Sequence, residues 1–387
     1  MRPASGTTGP LRGLRVVEFA GVGPAPFCGM LLSDMGAEVL RIERPAAGDG
    51  VVELARELDP TLRGRSHVTL DLKKAADRDA CRALIDRADV LVEGHRPGVM
   101  ERLGLGPDLC MAANPRLVYC RVTGWGQDGP LAQAAGHDIN YIALNGILST
   151  IGEPGRAPVP PLNVVGDYGG GGMFAAFGIA CALLDASTSG KGQVIDAAMV
   201  DGSTLLMAQF YGFLAEGSWS EQRGDNILDG GAPWYRTYGT ADGRYLAVGA
   251  FEQRFWDNFL AGLGLDATTL PERSDRGNWR SIGVTIEAVI KTRTLDVWTK
   301  IFTGLDACAG PVLGLREGMR QPHMRARGVV VERDGLWQPA PAPRLGRTPA
   351  AIGATRMHAD AAAALDAWTG TSGRQSIGAP EDCRPCP

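Results

Sequence analysis

Apolar residues in the first 125 positions fall into short runs separated by stretches with helical spacing. Leu14–Phe19, Ala37–Glu43 (AEVLRIE), Asp89–Glu93 (DVLVE) and Arg116–Val122 (RLVYCRV) each read as a strand. Between them, Pro26–Gly36 reads as a short helix closed by Gly36, and Asp77–Ala88 sets Cys81, Leu84 and Ile85 on one helical face. Strands alternating with helices predict an α/β fold with a parallel sheet and right-handed crossovers.

Beyond residue 125 the pattern turns helical, over Ile139–Ser149, Gly172–Leu184 and Val200–Ala215. Glu216–Gly231 is polar and glycine-rich and reads as a linker. A strand at Arg244–Gly249 and helices at Glu252–Leu263, Ser281–Lys291 and Leu295–Gly304 then predict a smaller α+β unit. The chain is Pro/Arg-rich and extended over Pro339–Pro349, and residues 359–368 suggest a last helix.

Composition narrows the function classes. The 387 residues suggest two or three domains, and 44% hydrophobic with 21% charged residues excludes a wholly disordered chain. Lys plus Arg total 39 against 43 for Asp plus Glu, which argues against a generic nucleic-acid binder but leaves room for a local basic pocket. The sequence shows no apolar run of about 18 residues and no export pattern at its start. The eight scattered cysteines read as reduced thiols, so a cytoplasmic protein without membrane contact is expected. Cys383 and Cys386 form a CxxC in a Pro-rich tail, read as a loose terminus. The five histidines are too dispersed to argue for a metal.

Four patterns carry candidate chemistry. Gly21-Val22-Gly23-Pro24-Ala25-Pro26 follows a strand like a dinucleotide fingerprint, but Pro26 stands at its third glycine position, so nicotinamide binding is a weak reading. Arg44, Lys73, Arg96 and Arg102 lie near strand ends, where they suit phosphate groups or are ordinary surface charge. His137, in Gly136-His137-Asp138-Ile139-Asn140-Tyr141, stands near a helix start, where the dipole favours a neutral imidazole: a structural residue or a base. Asp167, in Asn163-Val164-Val165-Gly166-Asp167-Tyr168, is either a desolvated carboxylate able to exchange a proton or, preferred on spacing alone, a helix N-cap.

At GHDINY and NVVGDYGGG the sequence resembles the family III CoA-transferase (CaiB/BaiF) group and, within it, the α-methylacyl-CoA racemases. The resemblance covers about residues 9–350. It includes Leu32–Val39, Thr69-Leu70-Asp71-Leu72-Lys73, Gly94-His95-Arg96-Pro97-Gly98 and Gly190–Gly202. It implies a Rossmann-like parallel-sheet large domain, a smaller α+β domain and an interlocked homodimer. The domain division it suggests is 1–215 for the N-terminal part of the large CoA-binding domain, 216–232 for a linker, 233–320 for the small domain and 321–387 for a segment returning to the large domain. Racemases of the group carry a histidine where this chain has His137, whereas transferases usually carry an aromatic residue there. The resemblance implies catalytic roles for His137, Asp167 and Glu252, with Glu252 beside His137 across the subunit boundary. Arg44, Thr69, Leu70, Asp71, Leu72, Lys73, Gly94, His95, Arg96 and Arg102 match CoA-binding positions, and Gly136, Asp138, Ile139, Asn140 and Tyr141 line the thioester end. His95 stands where relatives commonly carry an aromatic residue.

The activity implied is interconversion of (2R)- and (2S)-2-methylacyl-CoA by two-base proton transfer through an enolate, with backbone N–H groups at the start of the Asp138 helix holding the enolate oxygen. Neither a metal nor a cofactor is expected, because CoA is part of the substrate. Met173, Met199, Met207 and Phe210 are candidates for an adaptable acyl surface or plain core. Two alternatives remain open: a CoA-transferase with Asp167 as the nucleophile carrying acyl and CoA, and a non-catalytic acyl-CoA-binding protein.

Overall fold

The structure, a computed structural model, describes residues 8–45 and 54–370; Cys383 and Cys386 lie outside the described residues. The chain forms two compact units. One comprises the described residues of Met1–Asn145, Leu162–Leu206 and Val329–Pro387, the other Gly146–Pro161 and Met207–Gly328. Residues 216–232, expected as a linker, therefore group with the second unit, as does the excursion Gly146–Pro161. The guanidinium of Arg223 ties the two segments by donating to the carbonyls of Ser149 and Glu153, at 2.5 and 3.2 Å. The helix expected over Val200–Ala215 breaks at Met207 into Met199–Leu206 and Ala208–Glu216.

In the first unit, β1 (Arg15–Phe19), β2 (Glu38–Glu43), β3 (Ser66–Thr69), β4 (Val90–Glu93), β5 (Val118–Thr123) and β6 (Val194–Ala198) join the short Arg356–Met357 strand in a parallel sheet. Its order is Arg356–Met357, β3, β2, β1, β4, β5, β6, so the winding reverses between β1 and β4. Alternate residues of the central strands feed two cores, as a sheet covered on both faces requires. Val17, Leu40, Leu91 and Tyr119 pack with Leu84 and Ile85 on one face, where Ala364 and Trp368 also lie. Val16, Val39, Val90 and Cys120 pack on the other with Cys28, Leu32, Ile179 and Ala182.

Charges buried within these strands meet their partners through the register. Glu18 on β1 lies opposite Arg41 on β2, with the two side chains 2.5 Å apart. Glu93 on β4 lies opposite Arg121 on β5, at 2.9 Å. Arg65, fully buried, makes a second ion pair with Glu18 at 3.1 Å and donates to the carbonyl of Pro26.

A π-helical stretch, Val164–Met173, runs directly into the helix Phe174–Ser189. Together they form one helix long and apolar enough, by length and composition only, to cross a membrane, against the expectation of no such run. Asp167 and four successive glycines interrupt the pattern in the sequence, whereas the backbone continues through them. Ala175, Ile179, Ala182 and Ala186 on this helix are buried, while Met173, Phe177 and Leu184 are exposed.

The second unit contains the antiparallel strands β7 (Tyr235–Gly239), β8 (Tyr245–Gly249) and β9 (Ala309–Pro311). Helices Gln253–Leu263, Trp279–Ile290 and Leu295–Phe302 contribute Trp256, Phe259, Ile282, Ile286 and Trp298 to its core, with Trp234 and Leu246.

Candidate active site

Ligands of open parallel sheets bind beyond the carboxyl ends of the strands, where the winding reverses. The turn after β1 carries Gly21–Gly23, Arg44 follows β2, Leu70–Lys73 follows β3, and Gly94–Arg96 follows β4. His95 is half-buried, and the edge of its ring meets Phe19 at a centroid distance of 6.0 Å. Burial, reinforced by the positive charge of Arg44, holds the His95 imidazole down at about 4, so it is neutral at physiological pH. Arg44 and His95 are thus close enough to interact. The β4 turn is braced from below, since the His95 N–H donates to Glu93 Oε2 at 2.7 Å and Glu93 is paired with Arg121.

The other expected contact positions divide by environment. Arg44, Thr69, Lys73, Gly94, Arg96 and Arg102 are exposed. Leu70 is a buried member of the core, and Leu72 packs against the same cluster. Asp71 is occupied locally: its N–H donates to Asp77 Oδ2 at 2.7 Å and its Oδ1 accepts from the Lys73 N–H at 3.1 Å. Leu70, Asp71 and Leu72 therefore shape this turn with their side chains.

The second cluster is built from two helix starts. His137 is exposed and is the N-cap of the helix Asp138–Leu144, and its N–H donates to Asn140 Oδ1 at 3.0 Å. Tyr141 reaches back from that helix to donate to the carbonyl of Gly136 at 2.5 Å, and its ring meets Trp125 edge-on at 4.8 Å. A Cβ at Gly136 would come within 2.7 Å of the Tyr141 ring, so glycine permits this close fold-back. Ile139 and Asn140 are exposed, while Asp138 is buried.

Asp167 is not the N-cap that its sequence context favours. It lies inside the first turn of the π-helical stretch Val164–Met173. Its N–H donates to Asp138 Oδ2 at 2.7 Å, and its Oδ2 accepts from Asn163 Nδ2 at 3.2 Å. Burial pushes the carboxyl above its ordinary value; Asn163 opposes this, Asp138 adds to it, and the nearby His137 lowers it. Asp167 and His137 therefore lie within electrostatic reach of each other, next to Asp138.

Sequence reasoning missed the roles of Gly23 and Asn163. A Cβ at Gly23, whose φ is +68°, would come within 2.7 Å of Asp167 Oδ2. The glycine therefore lets the β1 turn approach the carboxyl. The signal was present in the Gly-Val-Gly-Pro-Ala-Pro run, with a different ligand in view.

Glu252 lies in the second unit, exposed, as the N-cap of Gln253–Leu263. Met173 is exposed and Met199 is buried core, packed so closely that a Cβ at Gly171 would come 2.7 Å from Met199 Cγ. Met199 is accordingly not available to an acyl chain. Met207 and Phe210 belong to the second unit, where the Phe210 ring packs against Phe213 and Trp219.

The family model for CoA-transferase family III matches residues 11–363. The chain belongs to CoA-transferase family III. This family III chain is 46% identical to the α-methylacyl-CoA racemase of Mus musculus over 89% of each chain. It is 43% identical to the α-methylacyl-CoA racemase of Homo sapiens, over 88% of this chain and 87% of that one. Among solved structures, the family III fold is similar to a CAIB/BAIF family protein from Brucella suis. The TM-score is 0.78 at 25% identity, covering 93% of this chain and 99% of that one.

Proposed function

We propose that this protein is an α-methylacyl-CoA racemase, interconverting the (2R) and (2S) forms of 2-methylacyl-CoA thioesters. The observation that carries the reading is a partly desolvated Asp167 carboxyl, with a raised pKa, beside the exposed imidazole of His137. The names of the mouse and human relatives support it.

A thioester carbonyl acidifies the hydrogen on C2, because its removal gives an enolate with charge on oxygen. In one direction, neutral His137 takes that hydrogen as a proton and protonated Asp167 delivers another to the opposite face. The products are imidazolium, carboxylate and the inverted thioester; the other direction starts from that pair and runs in reverse. Each group must hold both protonation states near neutral pH, and the raised carboxyl of Asp167 suits that demand. The first backbone N–H groups of Asp138–Leu144 lack helical partners and suit the enolate oxygen.

The thioester itself supplies the activation, so the chemistry calls for no metal or redox group. Arg44, Lys73, Arg96 and Arg102 suit the CoA phosphates, and that binding energy positions C2. We further infer an interlocked homodimer, in which the partner subunit's Glu252 orients His137. The apolar side chains Met173, Phe177 and Leu184, exposed along one helix, are suited to a subunit interface. The buried thiols of Cys28, Cys81, Cys110 and Cys120 and the exposed ones of Cys181 and Cys308 suit a reducing, cytoplasmic setting.

The deciding experiment incubates one enantiomer of a 2-methylacyl-CoA with the protein in deuterium oxide. Deuterium entering C2 with loss of optical activity is expected. Acyl exchange to an added free acid without C2 labelling would replace the racemase reading with the transferase one. Tight binding with neither reaction would leave a carrier.

Gly23→Ala tests the β1 turn. Its Cβ meets Asp167 Oδ2, so inversion is expected to fall by about 10²-fold, as for a reacting group displaced by about 1 Å. The positive-φ backbone at residue 23, which favours glycine, adds a stability cost of about 1–3 kcal/mol. Steady-state kinetics and urea unfolding read the two effects separately, and unchanged kinetics would remove the turn from the site.

A further inference from the structure

We propose that the buried side chain of Asp138 is the positioning residue for Asp167, holding that acid–base group on the face of C2 opposite His137. The inference deepens the racemase reading and rests on it.

The argument begins with the backbone. In a π-helix an N–H bonds to the carbonyl five residues earlier, so the first turn leaves its N–H groups without helical partners. Tyr168 is the first to close such a bond, donating to the carbonyl of Asn163 at 3.3 Å. Asp167, one residue earlier, has no carbonyl to reach inside the stretch. Its N–H is taken by Asp138 Oδ2 at 2.7 Å, a charge-assisted hydrogen bond. The backbone that carries the Asp167 carboxyl is thus pinned by a side chain from another helix start.

Packing leaves that strut little freedom. Asp138 is only 6% exposed. A Cβ at Gly166 would come within 2.7 Å of Asp138 Oδ2 and 3.3 Å of Ile142 Cγ2, so the residue just before Asp167 is bare where the carboxylate passes. The other oxygen, Oδ1, is buried without a hydrogen-bond partner. A neutral acceptor would satisfy the Asp167 N–H without burying an unsatisfied carboxylate oxygen. The carboxylate instead places a negative charge beside Asp167, which favours the protonated form of its neighbour.

Connectivity completes the case. His137 and Asp138 are consecutive, so one helix start presents the imidazole and the strut for the opposing carboxyl together. The spacing of the two bases across C2 then depends on one rigid turn, capped by Asn140 and backed by Tyr141.

The test uses the full-length protein in deuterium oxide and follows each enantiomer of one 2-methylacyl-CoA separately. Asp138→Ala, Asp138→Asn, Asp167→Asn and His137→Ala are compared with the unsubstituted chain. Loss of Asp167 affects the two enantiomers unequally, because only one presents its C2 hydrogen to that face. Asp138→Ala is expected to lower inversion at least tenfold and to reproduce the enantiomer asymmetry in C2 exchange of Asp167→Asn, not that of His137→Ala. Asp138→Asn, which keeps an acceptor for the Asp167 N–H, is expected to recover part of the loss and fold normally if the alanine variant does not. Exchange and inversion that stay at the unsubstituted level, or fall evenly for both enantiomers in both Asp138 variants, would overturn the proposal while leaving the racemase reading standing. An unsubstituted chain that neither exchanges nor inverts would overturn both.

Discussion

Replacing Asp167 with asparagine is expected to lower the rate of C2 inversion by about 10²–10⁴-fold, the range for loss of one acid–base group. Asparagine has nearly the shape of aspartate and keeps an acceptor for Asn163 Nδ2, and the main-chain bond from residue 167 to Asp138 is unaffected. The protein should therefore fold and bind acyl-CoA as before, with the loss falling on kcat. What asparagine cannot do is carry a proton to and from carbon. The companion change, His137→Ala, separates the two enzyme readings. A two-base racemase loses inversion with either substitution, whereas a transferase that uses Asp167 as nucleophile does not require the imidazole. Optical rotation gives the rate of inversion, and mass spectrometry of the protein during turnover reports any aspartyl thioester. Inversion that survives Asp167→Asn at more than a tenth of its original rate would remove that carboxyl from the reaction.

The largest effect on stability is expected at Arg65. Its side chain is fully buried and paired with Glu18, which also bears the ion pair from Arg41. Arg65→Met removes one cation and leaves Glu18 undercompensated in a site closed to water. Breaking a buried pair in this way costs about 3–5 kcal/mol. Arg65 also donates to the carbonyl of Pro26, in the helix that follows Gly23, so the β1 turn beside Asp167 should loosen as well. Denaturant unfolding measures the stability change. The double variant Glu18→Gln/Arg65→Met should recover part of it, since the buried carboxylate that lost one of its two cations is then neutral and Arg41 keeps its ion pair with Glu43. If the single variant unfolds at the original midpoint, the charges contribute nothing to stability.

The same cluster sets an acid limit. Burial of Glu43 opposes its ionisation, but the hydrogen bond from His67 and the charges of Arg41 and Arg56 outweigh this and draw the carboxyl down to about 2. The stabilisation it contributes is present above the ordinary carboxylate range and is lost as the pH falls toward that value.

Legibility in the sequence followed how continuously apolar each element is. The runs RVVEF and DVLVE read as strands because the interior of a parallel sheet is apolar on both faces. SHVT and VIDAA, which form β3 and β6, did not, because β3 has one aliphatic residue in four and β6 ends on two alanines, which favour strands weakly. Arg44 and Arg96 were legible as ligand candidates because they follow recognisable strands. The break at Met207 had no local signature, since neither proline nor glycine stands beside it and the division belongs to the units that the two halves join.

By itself the sequence determined the strand–helix alternation, the basic residues beyond the strand ends and, through resemblance, His137 and Asp167 as a pair. Each is a local pattern or a set of residue types in order, and such information survives in one dimension. Only the tertiary structure decided that Asp167 sits in a π-turn, that Asp138 takes its N–H, and that Gly23 gives its carboxyl room. It alone matched Glu18 to Arg41 and Glu93 to Arg121. These outcomes depend on register and on the packing of segments far apart in the chain, and neither is written in the spacing of neighbouring residues.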